Sequence, residues 1–186
     1  KPDNSNLVKI VEGRNEHNQP VKVSVVTEIP LTIFLNKQEI VTTMSLGDWP
    51  DYLAVGFLKN QNMLNDNDII TGIDVDDDLG VVVVRTQRET DYEEKMKKKI
   101  QTSGCAQGTQ FGDMMDAVGN ITLDPDARIH TSAMMRLIKT INTMPSLYLS
   151  AGAIHGCVLA EGDNILAYIE DVGRHNAVDK IAGWMR

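Results

Sequence analysis

The run Glu170-Asp171-Val172-Gly173-Arg174-His175-Asn176-Ala177-Val178-Asp179-Lys180 crowds carboxylates, a guanidinium, an imidazole, an amide and an amine into one short stretch. It follows the apolar segment Ile165-Leu166-Ala167-Tyr168-Ile169, which reads as a buried strand. Beyond it, Val178, Ile181, Ala182 and Met185 recur at the i, i+3, i+4, i+7 spacing of a helix. The polar groups therefore sit where a strand gives way to a helix. A helix start presents N–H groups and the positive end of its dipole to an anion. Arg174 adds a planar fork suited to phosphate or carboxylate, and His175 and Asn176 supply further donors. A plainer alternative has Glu170 and Asp171 capping the helix and pairing with Arg174, with Asp179 and Lys180 on its wet face.

Cys105 is the second candidate for chemistry. It lies in Thr102-Ser103-Gly104-Cys105-Ala106-Gln107-Gly108-Thr109, a loop of small residues that leaves the sulfur accessible. A helix start just downstream favours a thiolate. With an ordinary pKa of about 8.5, only a few per cent of a thiol is ionised at neutral pH. Lowering that value by about 1.5, a difference of roughly 2 kcal/mol, makes half of it nucleophilic. A helix end supplies about 0.3–1 kcal/mol, so another positive neighbour is needed. Arg174, or sequence beyond Arg186, is the candidate. Taken alone, the loop also suits a small apolar residue in a turn. The other cysteine, in Cys157-Val158-Leu159-Ala160, reads as core. Two cysteines favour a reducing cytoplasm over a disulfide-stapled secreted domain. They cannot build a structural zinc site without histidines, and His17, His130, His155 and His175 are scattered.

The elements that position these residues alternate along the chain. Val21, Val23 and Val25 alternate with polar residues, and Ile29 to Leu35 and Ile40 to Met44 flank an Asn36-Lys37-Gln38 turn. Asp48 before Trp49-Pro50 marks a helix start, with Leu53, Gly56 and Phe57 on its buried face. The acidic cluster at Asp74, Asp76, Asp77 and Asp78 reads as a hairpin loop without the spacing of a calcium loop. Phe111, Met114, Met115 and Val118 have helical spacing, as do Met134, Leu137, Ile138 and Ile141, whose methionines read as core filler. The second half is thus expected to run helix near 109–118, helix near 130–143, strand near 147–150, helix from about 153, strand 165–169 and helix from about 174. That rhythm predicts a layered α/β fold.

Composition narrows the function. The 186 residues, 42% of them hydrophobic, can bury one core, or one domain with a small appendage. No apolar run reaches the ~18 residues of a membrane helix, and no secretory leader is visible. A net charge of -8 argues against nucleic acid as a partner. Lys95 and Lys97 to Lys99, preceded by Glu93 and Glu94, read as i,i+4 pairs on a solvated helix face, or else as a dock for an acidic protein.

Four further segments join the 170–180 run. They are Glu28-Ile29-Pro30-Leu31-Thr32-Ile33 with Asn36, Leu53-Ala54-Val55-Gly56-Phe57-Leu58, Ser103-Gly104-Cys105-Ala106-Gln107-Gly108 and Ser150-Ala151-Gly152-Ala153-Ile154-His155-Gly156. In content and order the set resembles the FdhD family, the formate dehydrogenase accessory sulfurtransferases. Gly108 departs from that family's usual Cys-x-x-Cys loop. The family also continues past the helix in which this chain stops, so a C-terminal region contributing to cofactor binding is expected to be missing.

The resemblance implies a cytidine-deaminase-like α/β core over 47–186 with a smaller β-rich part over 1–46. Deamination itself does not follow: the nearest match, His155-Gly156-Cys157, lacks the catalytic glutamate and the cysteine pair of the zinc deaminases. The implied chemistry is persulfide transfer. A cysteine desulfurase loads sulfur onto Cys105, and the sulfur passes to a molybdenum (or tungsten) bis-molybdopterin guanine dinucleotide cofactor destined for formate dehydrogenase. Gly152, His155, Glu170, Asp171, Gly173, Arg174, His175 and Asn176 are the implied walls of the cofactor site, and a cytoplasmic homodimer is implied with them. With Gly108 in the loop, sulfur leaves by direct attack on the metal centre, or Cys157 serves as a distant resolving thiol. The alternatives are a cofactor-binding chaperone without sulfur chemistry and a simple nucleotide-binding domain.

Overall fold

The structure, a computed structural model, describes residues 7–88, 99–101, 109–111, 122 and 124–186. Cys105, Gly108, Lys95, Lys97 and Lys98 and the expected helical face at Met114, Met115 and Val118 lie outside the described residues. Val8–Arg14 (β1) and Pro20–Val26 (β2) pair as an antiparallel ribbon whose Ile10, Val11 and Val23 are at least half exposed. Ile29–Leu35 (β3) and Gln38–Ser45 (β4) form the next hairpin. They share a four-stranded sheet, in the order β4-β3-β6-β5, with Ile70–Asp76 (β5) and Val81–Thr86 (β6). One sheet thus draws strands from both sides of residue 46.

Period-2 alternation explains why this sheet has an inside. Leu31, Ile33 and Leu35 point one way from β3, and Val82 and Val84 do so from β6, its parallel neighbour. Helix α1 (Pro50–Asn60) lies between β4 and β5 in sequence and covers that face with Leu53, Ala54, Phe57 and Leu58. Its N-cap is Trp49, in the left-handed region at φ 50°, and no side chain caps it. Asp48, expected to start the helix, is used elsewhere.

Short β7 (Lys99–Gln101) and β8 (Thr109–Phe111) pair antiparallel, so residues 109–111 form a strand where a helix was expected. Helix α2 (Thr131–Thr143) matches its expectation in extent but not in burial. None of its residues is buried, so Met134, Leu137, Ile138 and Ile141 are not core. Residues 147–150, expected as strand, belong to the short helix α3 (Leu147–Ala151). Ser146 caps it, its side chain accepting from the Leu149 amide at 3.2 Å. The expected helix from 153 is strand β9 (His155–Glu161), held antiparallel to β10 (Asn164–Asp171). In β9 the local helical spacing loses to cross-strand pairing.

Helix α4 (Arg174–Trp184) closes the fold against α1 and the β9–β10 hairpin. Its buried face corrects the sequence expectation. Val178 is 51% and Met185 62% exposed, whereas Asp179 and Lys180, expected on the wet face, are buried. Two glycines set this rotation. A β-carbon on Gly56 would sit 1.7 Å from the Asp179 carbonyl oxygen, and one on Gly183 2.0 Å from the Tyr52 carbonyl oxygen. The helices therefore meet backbone to backbone, which no larger residue at either position permits.

Candidate functional site

Strand β10 ends on two adjacent carboxylates that face opposite ways, as neighbours on a strand do. Asp171 points inward and is fully buried. Its Oδ1 accepts from the Gly173 amide at 3.0 Å and from Asn176 Nδ2 at 2.9 Å. Its Oδ2 accepts from Ser45 Oγ at 2.8 Å and pairs with Lys180 Nζ at 2.6 Å. Lys180, also fully buried, reaches Asp48 Oδ1 at 2.6 Å. One ammonium thus serves two carboxylates. Burial pushes the Asp48 carboxyl above its ordinary range against the pull of Lys180, with Asp171 adding to the rise. Asn176 completes the set by donating to the Met44 carbonyl at 2.7 Å. Such a group is tolerable inside a protein only because nearly every polar atom is matched.

Asp179, on the same helix, accepts from Asn60 Nδ2 of α1 through its Oδ1 at 2.6 Å. Burial dominates there and pushes the Asp179 carboxyl up to about 7; the Asn60 bond opposes the rise and the charge of Asp171 adds to it.

Glu170 faces α3 rather than α4. Its Oε2 accepts from the Leu147 amide at 2.8 Å, and its Oε1 accepts from the Tyr148 amide at 2.9 Å and from the Tyr168 hydroxyl at 3.0 Å. Burial, helped by the charge of Glu170, pushes the Tyr168 phenol up to about 12. The ring lies across Gly156, where a β-carbon would come within 2.6 Å of the hydroxyl. The plainer sequence alternative is therefore corrected. Neither acid pairs with Arg174 among the described residues, and Glu170 caps α3 instead of α4.

The exposed groups gather at one corner. Gly152 and Ala153 take positive φ of 67° and 56°, turning the chain sharply out of α3 and into β9. That turn sets His155 opposite Asp171 in the β9–β10 ladder. Gly173 is the N-cap of α4, and Arg174 and His175 occupy its exposed first turn. Of the eight expected wall residues, His155, Gly173, Arg174 and His175 share this rim, with Gly152 just before it. Asp171 and Asn176 lie buried beneath as its anchors, and Glu170 holds α3. Cys157, paired with Ile169, is half-buried, and burial pushes its thiol up, away from nucleophilic use.

Sequence reasoning missed Ser45, Asn60 and Tyr168 altogether, and it assigned Asp48, Asp179 and Lys180 to other tasks. Ser45 and Asp171 are 126 positions apart, and Asp48 and Lys180 are 132 apart, beyond any local spacing rule. The one available signal was glycine inside two helical patterns, which costs helix stability and marks close approach. Next to the corner, a cavity of about 570 Å³ opens between β10, α3 and the start of α1.

Comparison with known proteins covers most of the chain. The model of the FdhD/NarQ family matches residues 26–186. The sulfur carrier protein FdhD of Bacillus subtilis (strain 168) is 30% identical over 173 residues, which cover 91% of this chain and 66% of that protein. Its counterpart in Bacillus pumilus (strain SAFR-032) is 28% identical over 161 residues, covering 86% of this chain and 62% of that protein. The chain thus spans a little under two thirds of the length of these relatives. A crystal structure from Desulfotalea psychrophila, provisionally described as a formate dehydrogenase accessory protein, shares the fold with a TM-score of 0.70. It is 23% identical, and the match covers 96% of this chain and 66% of that one.

Proposed function

The chain belongs to the FdhD/NarQ family, and from that membership we propose that it carries sulfur for the maturation of a formate dehydrogenase. One observation carries the proposal: a single family match, residues 26–186, spans both the Cys105 loop and the exposed corner at His155, Gly173, Arg174 and His175. The curated relatives are named as sulfur carriers, which supports the assignment.

In this mechanism the Cys105 thiolate attacks the outer sulfur of a cysteine desulfurase persulfide. The sulfur–sulfur bond to the donor breaks, the donor leaves as a thiolate, and the sulfane sulfur stays on Cys105 without net oxidation. The client is a molybdenum or tungsten bis-molybdopterin guanine dinucleotide. Its phosphates suit Arg174, His175 and the start of α4, where the backbone N–H groups of Arg174, His175 and Asn176 have no acceptor among the described residues. The buried pairs of Asp171 hold that first turn rigid, so the anion site is built before the ligand arrives. Raised by burial, the Cys157 thiol is a poor resolving group, which favours direct transfer from Cys105. A cytidine-deaminase-like layering, a homodimer and a cytoplasmic setting belong to the same proposal.

The test is mass spectrometry after incubation with a cysteine desulfurase and cysteine. Cys105 should gain the mass of one sulfur atom, and Cys105→Ala should take up none there. A Cys105→Ala protein that still activates formate dehydrogenase would replace the carrier by a cofactor-binding chaperone.

A further inference from the structure

The cavity beside the corner has two walls that are held in different ways. Strand β10 and the start of α1 form one of them, and buried Ile169, Asp171 and Leu53 root these elements in the interior. Met144, Pro145, Ser146, Leu147 and Ser150, where α2 passes into α3, form the other. Neither α2 nor α3 contains a buried residue, and Tyr148 and Leu149 of α3 are 57% and 54% exposed. The principal neighbour of α3 is β2, a strand of the exposed β1–β2 ribbon rather than of the core. Hydrogen bonds tie α3 to β10 in place of burial. The Glu170 carboxylate takes the Leu147 and Tyr148 amides, and the Tyr168 hydroxyl both donates to Glu170 and meets the Ser146 side chain. At a part-exposed site, water replaces such bonds on the same atoms, so breaking them costs little net. Parting α3 from β10 is therefore far easier than parting α1 from α4, which touch backbone to backbone.

The mobile wall also has a pivot. Gly152 and Ala153 take consecutive positive φ values, and Ile154 directly after them is buried, a fixed point at the entry to β9. An alanine held in the left-handed region is strained, and a swing that returns it to negative φ releases that strain. At the other end of α3, the short Met144-Pro145-Ser146 connection to α2 is stiffened by its proline. Strain at the pivot thus favours opening, while the carboxylate of Glu170 favours closure. Two opposed terms of this kind define an element with two positions.

We propose that α3 is a gate on this cavity, swinging with α2 as one piece about Gly152–Ala153 and held shut by Glu170. The inference goes beyond the carrier function and stands whatever the cavity holds, because every contact it uses lies within this chain.

The test is hydrogen exchange followed by mass spectrometry on the full chain without ligand. Peptides of α2 and α3 should exchange together and well ahead of α1 and α4. Glu170→Ala should speed exchange in α2 and α3 by about tenfold or more and leave α1 and α4 unchanged. Tyr168→Phe removes one bond of the latch and keeps both amides on Glu170, so it should give the same pattern with a smaller increase. That variant also carries the test if Glu170→Ala does not fold. Unchanged exchange in α3, or an acceleration that reaches α1 and α4 equally, overturns the proposal. Acceleration in α3 without α2 overturns the swing as one piece.

A second readout looks from the opposite wall. The chain has two tryptophans, so Trp184→Phe leaves Trp49, which lines the cavity, as the only fluorophore of its kind. Acrylamide quenching of Trp49 should rise by about twofold when Glu170→Ala is added. Quenching that stays the same while α3 exchanges faster would mean that α3 frays without uncovering the cavity, and the gate would be overturned.

Discussion

Helices α2 and α4 contrast in what they hide. Helix α2 carries Met134, Met135 and Ile138 at helical spacing, and they are 41%, 59% and 44% exposed. Helix α4 carries Asn176, Asp179 and Lys180, and they are 8%, 8% and 0% exposed. Side-chain polarity alone would have placed them the other way round. The difference lies in how closely each backbone is approached. Gly56 and Gly183 let α1 and α4 touch main chain to main chain, which expels water and leaves the polar groups of α4 to find partners inside. Helix α2 contains no glycine, and the exposed pair of Arg136 and Asp163 ties it to the β9–β10 turn. Contact distance, more than amphipathic spacing, decides which of these two faces is interior.

Four measurements test that contrast. Lys180→Met should have the largest effect, because it strands the carboxylates of Asp48 and Asp171 together without a cation. A loss of about 3–5 kcal/mol in chemical denaturation is expected, and a change below about 1 kcal/mol would mean that the network contributes little. Gly56→Ala comes next. Its methyl must push α4 away from α1, at about 1–3 kcal/mol and at the upper end of that range; an unchanged melting temperature would remove glycine from the explanation.

The third measurement uses pH. The folded Asp179 carboxyl holds its proton to about 7, whereas the unfolded one releases it near 3.8. Between those values the folded chain binds more protons, so this group's stabilisation falls as pH rises from about 4 to about 7. Asp179→Asn should flatten that slope and stabilise the protein at pH 8 by roughly 2 kcal/mol. A slope unaltered by the substitution would place the titration elsewhere. The smallest effect is expected on the other helix: Met135→Lys should change stability by no more than about 0.5 kcal/mol. A larger loss would show that α2 is covered in solution.

The same contrast explains what the sequence could disclose. Leu31, Ile33 and Leu35 alternate cleanly, so β3 was legible, and Ile40 to Met44 marked β4 in the same way. The start of α4 was legible from the change of period after Ile169. The burial of α4 was not, because Lys180 reads as a solvated charge unless Asp48 and Asp171 are known to converge on it. Residues Leu147 to Ser150 read as strand although Ser146 caps them locally; their other capping group, Glu170, comes twenty-two positions after Tyr148. At the corner, Gly173, Arg174 and His175 announced a helix start that could hold an anion. That Asp171 and Asn176 face inward from the same motif is set by partners at Met44 and Ser45, again too distant to read.

The tie between Asp48 and Lys180 has a consequence for synthesis. Helix α1 ends at Asn60 and α4 begins at Arg174, so a ribosome adding roughly 5–20 residues per second delivers the second helix on the order of ten seconds after the first. Until then the face of α1 at Gly56 is uncovered and Asp48 lacks the Lys180 ammonium. Arrival of Lys180 supplies that counter-ion and brings Gly183 against Tyr52, so both ends of the contact close together.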